Sequence, residues 1–456
     1  MIVVGLNLIW TIALGWLLVA PLFRVKAGWI STSLILSMAF LSGQALISLI
    51  FFVVAVIYQP SVLVSGMIEL LLAIGLAWRM RRTSRQSKRS ITISAARLPM
   101  LTFAVIGAML VSLVIMVWNS VLQPLGGWDA WAFWNTRSLF MVRGGDAWQT
   151  VFQLRAVFHT DYPWLLSSVV ARGWLLAGET AWLTSAFSIM FAWCSVGLLF
   201  GGLALLRSQF QALLAVLALL GTYWFTIEGY GQVSDLPLAG YLLMAFVVIE
   251  LIERGMIHEL GYGLVGFAIG AAAWTKNEGI VLAVLAMLVL IIALWRKRHT
   301  SALMWLVVGI MPFVLVVGYF KIVLAPPVDL IEAQQASPLA KLLDPSRYIT
   351  IAKFYAVRFF SFARGILPLL MLYAVLVGVQ TKRWRSVIVP VLIVGLLQLS
   401  YIGVYLLTPF SLQWHLETSQ YRLWLHTLPA AIFTLFFILN EPQFRSAPVA
   451  EIEQQP

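Results

Sequence analysis

The chain predicts an all-α polytopic membrane protein, with about thirteen transmembrane helices and a large external first loop carrying interfacial helices. Three observations predict this. Of 456 residues, 61% are hydrophobic and 11% charged, whereas a soluble domain is about half apolar and about a quarter charged. Apolar runs of roughly 17–25 residues, each enough to cross ~30 Å of hydrocarbon, recur from end to end. The net charge of +12 is concentrated in short connecting loops, where basic residues orient a chain in the membrane. That placement excludes nucleic-acid binding as the meaning of the basic balance.

Taken in order, the first apolar run covers about 2–23, and its charges, Arg24 and Lys26, come after it. It is too long and wrongly flanked for a cleaved signal peptide, so it is expected to remain a helix. Spans follow at about 29–57, 61–78 and 98–118. Between the last two, Arg79, Arg81, Arg82, Arg85, Lys88 and Arg89 mark the cytoplasmic side. The segment 119–163 is then external. Further spans are expected at about 180–206, 210–227, 236–252, 260–274, 279–295, 301–320, 364–380, 386–406 and 423–440. This assignment puts Arg207, Arg254, Arg296, Lys297, Arg298, Lys382, Arg383 and Arg385 on the cytoplasmic side. The stretch 164–178 has no crossing left to make and is read as interfacial or re-entrant, with Arg172 snorkelling to the interface. Residues 1–97 form an accessory group of helices with a basic linker, 98–440 the principal core, and 441–456 a short polar tail. Cys194, the single cysteine, lies in an apolar run and reads as a packing residue.

The external stretches hold the polar chemistry: 119–163, 228–235, 274–279, about 321–347, and 408–422. In the first, Asp129 sits among Trp128, Trp131 and Trp134, which recur every third residue along one side of an expected helix. Tryptophans at an interface are ordinary headgroup anchors. An acid among them is costlier, and it suits a general base that takes a proton from a hydroxyl. Arg137, two turns on, is a candidate partner that keeps this acid ionised. Asp161, before Tyr162 and Pro163, reads either as a helix cap or as a site residue. The same choice holds for Asp235, before Leu236 and Pro237. Lys276 and Glu278 pair with each other or face a phosphate, for which lysine is a suitable point charge. His415 and Arg422, seven residues apart, share a helix face, and the arginine fork fits a phosphate. His415 beside Trp414 has an ordinary structural reading as well.

An acid in the first large external loop, an aromatic helix, a Gly144–Gly145 turn and Asp161-Tyr162-Pro163 together resemble the C-fold glycosyltransferases. Three later stretches add to the likeness: SDLPLAGYLLMA (234–245), AAAWTKNEGIVL (271–282) and LLTPFSLQWHLETSQYRLWL (406–425). The resemblance spans roughly 98–440. It implies transfer of a sugar from a polyprenyl-phosphate donor to a glycan, lipid or protein acceptor, with Asp129 as catalytic base. Asp161, Asp235, Lys276, Glu278, His415, Arg422 and Arg137 would then bind substrate or donor. Many members carry two adjacent acids where this chain has Asp129-Ala130, so no cofactor is expected and a divalent metal is disfavoured. The expected setting is a prokaryotic plasma membrane with the site facing outside. The rival readings are a secondary transporter or lipid flippase, and a non-catalytic scaffold in glycan assembly.

Overall fold

A computed structural model describes residues 2–26, 28–83, 99–154, 157, 159–328 and 337–441. The basic stretch with Arg85, Lys88 and Arg89, and the tail beyond residue 441, lie outside the described residues. Among the described residues the chain is helical, with two isolated bridges and no strand. Ten helices are long and apolar enough to cross a membrane, or twelve if each of two bent pairs counts as one span.

The first three helices are α1 (Ile2–Val19), α2 (Trp29–Ile57) and α3 (Val62–Thr83). Next come α4 (Pro99–Leu122), short α5 (Asn135–Arg143), α6 (Leu165–Ala177) and α7 (Ala181–Leu206). The pair α8 (Gln209–Leu220) and α9 (Tyr223–Tyr230) is bent by 70°. Helices α10 (Asp235–Glu253), α11 (Gly261–Thr275), α12 (Asn277–Arg296) and α13 (Thr300–Tyr319) follow. The second bent pair, at 79°, is α14 (Pro345–Ser361) and α15 (Ile366–Val377). Then come α16 (Trp384–Leu407) and α17 (Leu412–Ile438).

The expected spans at 210–227 and 364–380 are therefore the bent pairs. The one at 260–274 is α11, whose 15 residues rise only about 22 Å, short of the hydrocarbon thickness. It is held by close packing against α13. A Cβ on Gly266 would sit 2.0 Å from the Leu306 carbonyl oxygen, so only glycine lets the backbones meet there. The last expected span begins eleven residues earlier than 423, because the same helix already runs through 412–422. Gln413, Glu417 and Thr418 are exposed on one side while Leu416, Gln420 and Leu423 are buried on another, which is helical patterning.

Two further expectations are corrected. Arg172 does not snorkel. It is 5% exposed on α6, and its Nε and Nη2 bond both oxygens of Glu69 on α3 at 2.8 and 2.6 Å. Asn7 accepts from its Nη1 and Trp10 donates to the same glutamate, so α1, α3 and α6 are tied by one buried polar network. Trp128, Trp131 and Trp134 do not share a face. Ala130–Trp134 forms a π turn, wider than an α turn. It leaves the first two half exposed and Trp134 fully buried.

Helix α10 sits at the centre, buried along almost its whole length, and its two ends define two poles. At its C-terminal end the basic loops gather. Arg24 N–H donates to the Met256 carbonyl, Lys297 pairs with Glu253, and Arg207 bonds Gln380 and the Leu439 carbonyl. Arg254 and Arg383 both lie against the Phe437 ring. At the other pole α10 begins with Asp235, and the polar turns collect there.

Candidate functional site

Asp235 is the first residue of α10, its side chain fully buried. Its carboxylate does not cap the helix. Lys276 Nζ, in the break between α11 and α12, lies 3.0 Å from Oδ1, and His426 Nε2 on α17 lies 2.6 Å from the same oxygen. Arg422, one turn before His426, donates Nε and Nη2 to Oδ2 at 3.1 and 2.9 Å. An unpaired carboxylate at such depth would cost several kcal/mol, on the order of the penalty for any isolated buried ion. Two elements, the α11–α12 break and α17, supply three side chains that prevent it. His426 has Tyr401 Oη 2.9 Å from its Nδ1. With Asp235 ionised, Nε2 carries the hydrogen and Tyr401 donates to Nδ1.

Arg422 reaches in a second direction. Its Nη1 donates to Asp129, whose side chain is 24% exposed against 19% for the arginine. Asp129 stands at the entry to the π turn, and its loop is set by two contacts with the α9–α10 connection. Gly127 N–H bonds the Gly231 carbonyl at 3.3 Å. Gly126 takes φ +77°, and a Cβ there would meet the Gly231 carbonyl oxygen at 2.8 Å. Gln232, itself at φ +58°, holds that strained backbone through four bonds. Its N–H donates to Ser188, its amide nitrogen to the Pro124 carbonyl and Ser185, and its oxygen accepts from Asn135. Glu228, buried on α9, lies within electrostatic reach of Asp129, Asp235, Arg422 and Lys276.

Asp161 also does not cap a helix, since α6 begins at Leu165 with no side-chain cap. Its carboxylate accepts from Asn277 Nδ2 at 2.6 Å, and Lys321 lies 3.8 Å away. Glu278 pairs with Lys276 at 3.2 Å through Oε1, while its Oε2 is buried without a protein hydrogen bond. The Tyr162 hydroxyl is pushed well above its ordinary range, first by burial and then by Glu278 and Asp161, so it stays a neutral donor. All five external stretches thus contribute a side chain to this pole: Asp129 and Asp161, Glu228 and Asp235, Lys276, Lys321, and Arg422.

One assignment differs from expectation. Arg137 is not the partner of Asp129. It is fully buried, donates to the carbonyls of His159, Tyr162 and Pro163, and lies over the rings of Trp134 and Trp164. Burial lowers its pKa to about 9, which leaves it charged at neutral pH and fixing the Asp161-Tyr162-Pro163 backbone. His415 shares α17 with Arg422 but lies outside the ion network, its Nδ1 2.8 Å from Thr408 Oγ1 and its ring against Tyr405. Sequence reasoning missed His426, Tyr401, Asn277 and Gln232. The signal for His426 was present: a lone histidine four residues past Arg422, on the same helix face, inside an expected span.

Among the described residues no three His, Cys, Asp or Glu side chains are grouped to hold a metal ion. The acids of the site turn to Arg422, Lys276 and Lys321 instead. No family model, no curated protein and no solved structure matches the chain.

Proposed function

We propose that this pole is the active site of a membrane glycosyltransferase of the C-fold type. It moves a sugar from a polyprenyl-phosphate donor to an acceptor hydroxyl on the outer side of a cytoplasmic membrane. One observation carries the reading: a partly exposed acid, Asp129, sits against a guanidinium, Arg422, that is anchored from behind by buried Asp235, which Lys276 also holds. A general base and a cation for a phosphate leaving group are thereby held side by side.

In the proposed reaction Asp129 takes the proton of the acceptor hydroxyl, and that oxygen bonds the anomeric carbon from the face opposite the phosphate. The bond from that carbon to the phosphate oxygen breaks, and its electron pair leaves on the phosphate. Arg422 and Lys276 stabilise the developing charge, and the configuration inverts. Asp161 and Glu278 accept hydrogen bonds from the sugar. The gathering of basic loops at the far pole supports an outward-facing site by the positive-inside rule.

A labelled polyprenyl-phosphate sugar presented to the protein in vesicles separates the readings. Label transferred to an acceptor supports the enzyme. Intact lipid crossing between leaflets without transfer identifies a flippase, and neither event leaves a scaffold.

A further inference from the structure

The two acids on Arg422 are not equivalent. Asp235 is sealed in: its side chain is fully buried and is held by Lys276 and His426 as well as by two nitrogens of Arg422. Taking Arg422 away from it would leave a poorly compensated charge in the protein interior. Asp129 is open to solvent over about a quarter of its side chain. Among the described residues, Arg422 is its one ion partner. A carboxylate at that position rotates into water at little cost, because a partly exposed ion pair contributes only about 1 kcal/mol. Nε and Nη2 of Arg422 are taken by Asp235, so an incoming anion competes for Nη1, where the weaker-held acid sits.

We propose that Asp129 is a displaceable latch on the anion subsite of Arg422: an incoming phosphate ester takes the Nη1 corner and releases the carboxylate. The exchange itself is a matter of anion binding, and its catalytic consequence rests on the reading of Asp129 as base. Before the donor arrives, Arg422 occupies the carboxylate oxygen of Asp129. Once phosphate holds the guanidinium, Asp129 is freed beside the sugar that is to be transferred. Donor binding therefore precedes acceptor activation, and an acceptor alone is not deprotonated. Glu228 is a third acid within electrostatic reach of Arg422, and a double variant tests whether it takes the latch position when Asp129 is removed.

The exchange makes a prediction opposite to that of an ordinary base. The full-length protein in detergent micelles is titrated with farnesyl phosphate and separately with inorganic phosphate, read by tryptophan fluorescence. Asp129→Asn, or Asp129→Ser if the first folds poorly, is expected to bind farnesyl phosphate about fivefold more tightly than wild type. The Asp129→Asn, Glu228→Gln double variant is expected to bind at least as tightly, and Arg422→Gln to lose binding. The same gain with inorganic phosphate places the exchange in the phosphate group alone. A gain restricted to farnesyl phosphate makes the lipid tail part of recognition, and the exchange stands in both cases. Equal or weaker binding by folded Asp129 variants overturns it. Transfer that persists in Asp129→Asn despite tighter binding sinks the base assignment and leaves the latch. Lost transfer with unchanged binding does the reverse.

Discussion

Asp235 and Asp129 show how depth decides what an acid is worth. Both accept from Arg422, yet one is sealed and the other partly wet. Asp235→Asn is expected to lower the thermal midpoint severely, by a loss of about 3–5 kcal/mol, because Lys276 and Arg422 are left without their shared buried counter-charge. Asp129→Asn is expected to cost about 1 kcal/mol or less. Melting curves of the two purified variants test this, and equal losses would contradict the picture of one anchoring and one exchangeable acid. Sequence could point to both acids, because few acids survive in so apolar a chain. It could not tell their partners apart. Spacing suggested Arg137 for Asp129, since two turns of a regular helix would join them. The π turn at Ala130–Trp134 breaks that register, and the partner comes from 293 residues away.

At the scale of elements, the sequence read most helices within a few residues because their apolar runs are long. It failed where polarity and helicity coincide. The 408–422 stretch reads as external to the last span because it carries His415, Glu417, Gln420 and Arg422. In the fold it opens α17 and aims Arg422 at the site. The bends in α8–α9 and α14–α15 were invisible because composition alone does not report direction. The Glu69–Arg172 pair was read as an isolated interfacial arginine, since its partner lies on another helix. Arg172→Met is expected to destabilise the protein by about 3–5 kcal/mol by stranding the Glu69 charge. Adding Glu69→Gln should recover part of that loss, as coupled neighbours do. A double variant no more stable than the single one would mean that the pair does not act as a unit.

The whole molecule is polarised along α10, with acids and amides at its first turn and arginines around its last. The charge pattern of the sequence conveyed this separation well, because loop charges alternate with spans. It did not convey that five distant turns bond to one another. In the proposed orientation, a cysteine introduced as Trp128→Cys in a Cys194→Ser background reacts with a membrane-impermeant maleimide added outside. One introduced as Lys297→Cys reacts only after the membrane is opened. The reverse pattern would turn the site to the cytoplasm. Transfer is also expected to be unchanged by EDTA, since Arg422 and Lys276 meet the phosphate charge. Strong inhibition that added Mg²⁺ or Mn²⁺ reverses would contradict that assignment.

The central claim is that Asp129 removes the acceptor proton. Single-turnover transfer from a labelled polyprenyl-phosphate sugar, compared between wild type and Asp129→Asn at saturating donor, tests it most directly. A general base contributes about 10²–10⁴-fold, so the account predicts transfer reduced by at least about a hundredfold, with donor still bound. Transfer by folded, donor-loaded Asp129→Asn within a few fold of wild type would contradict it.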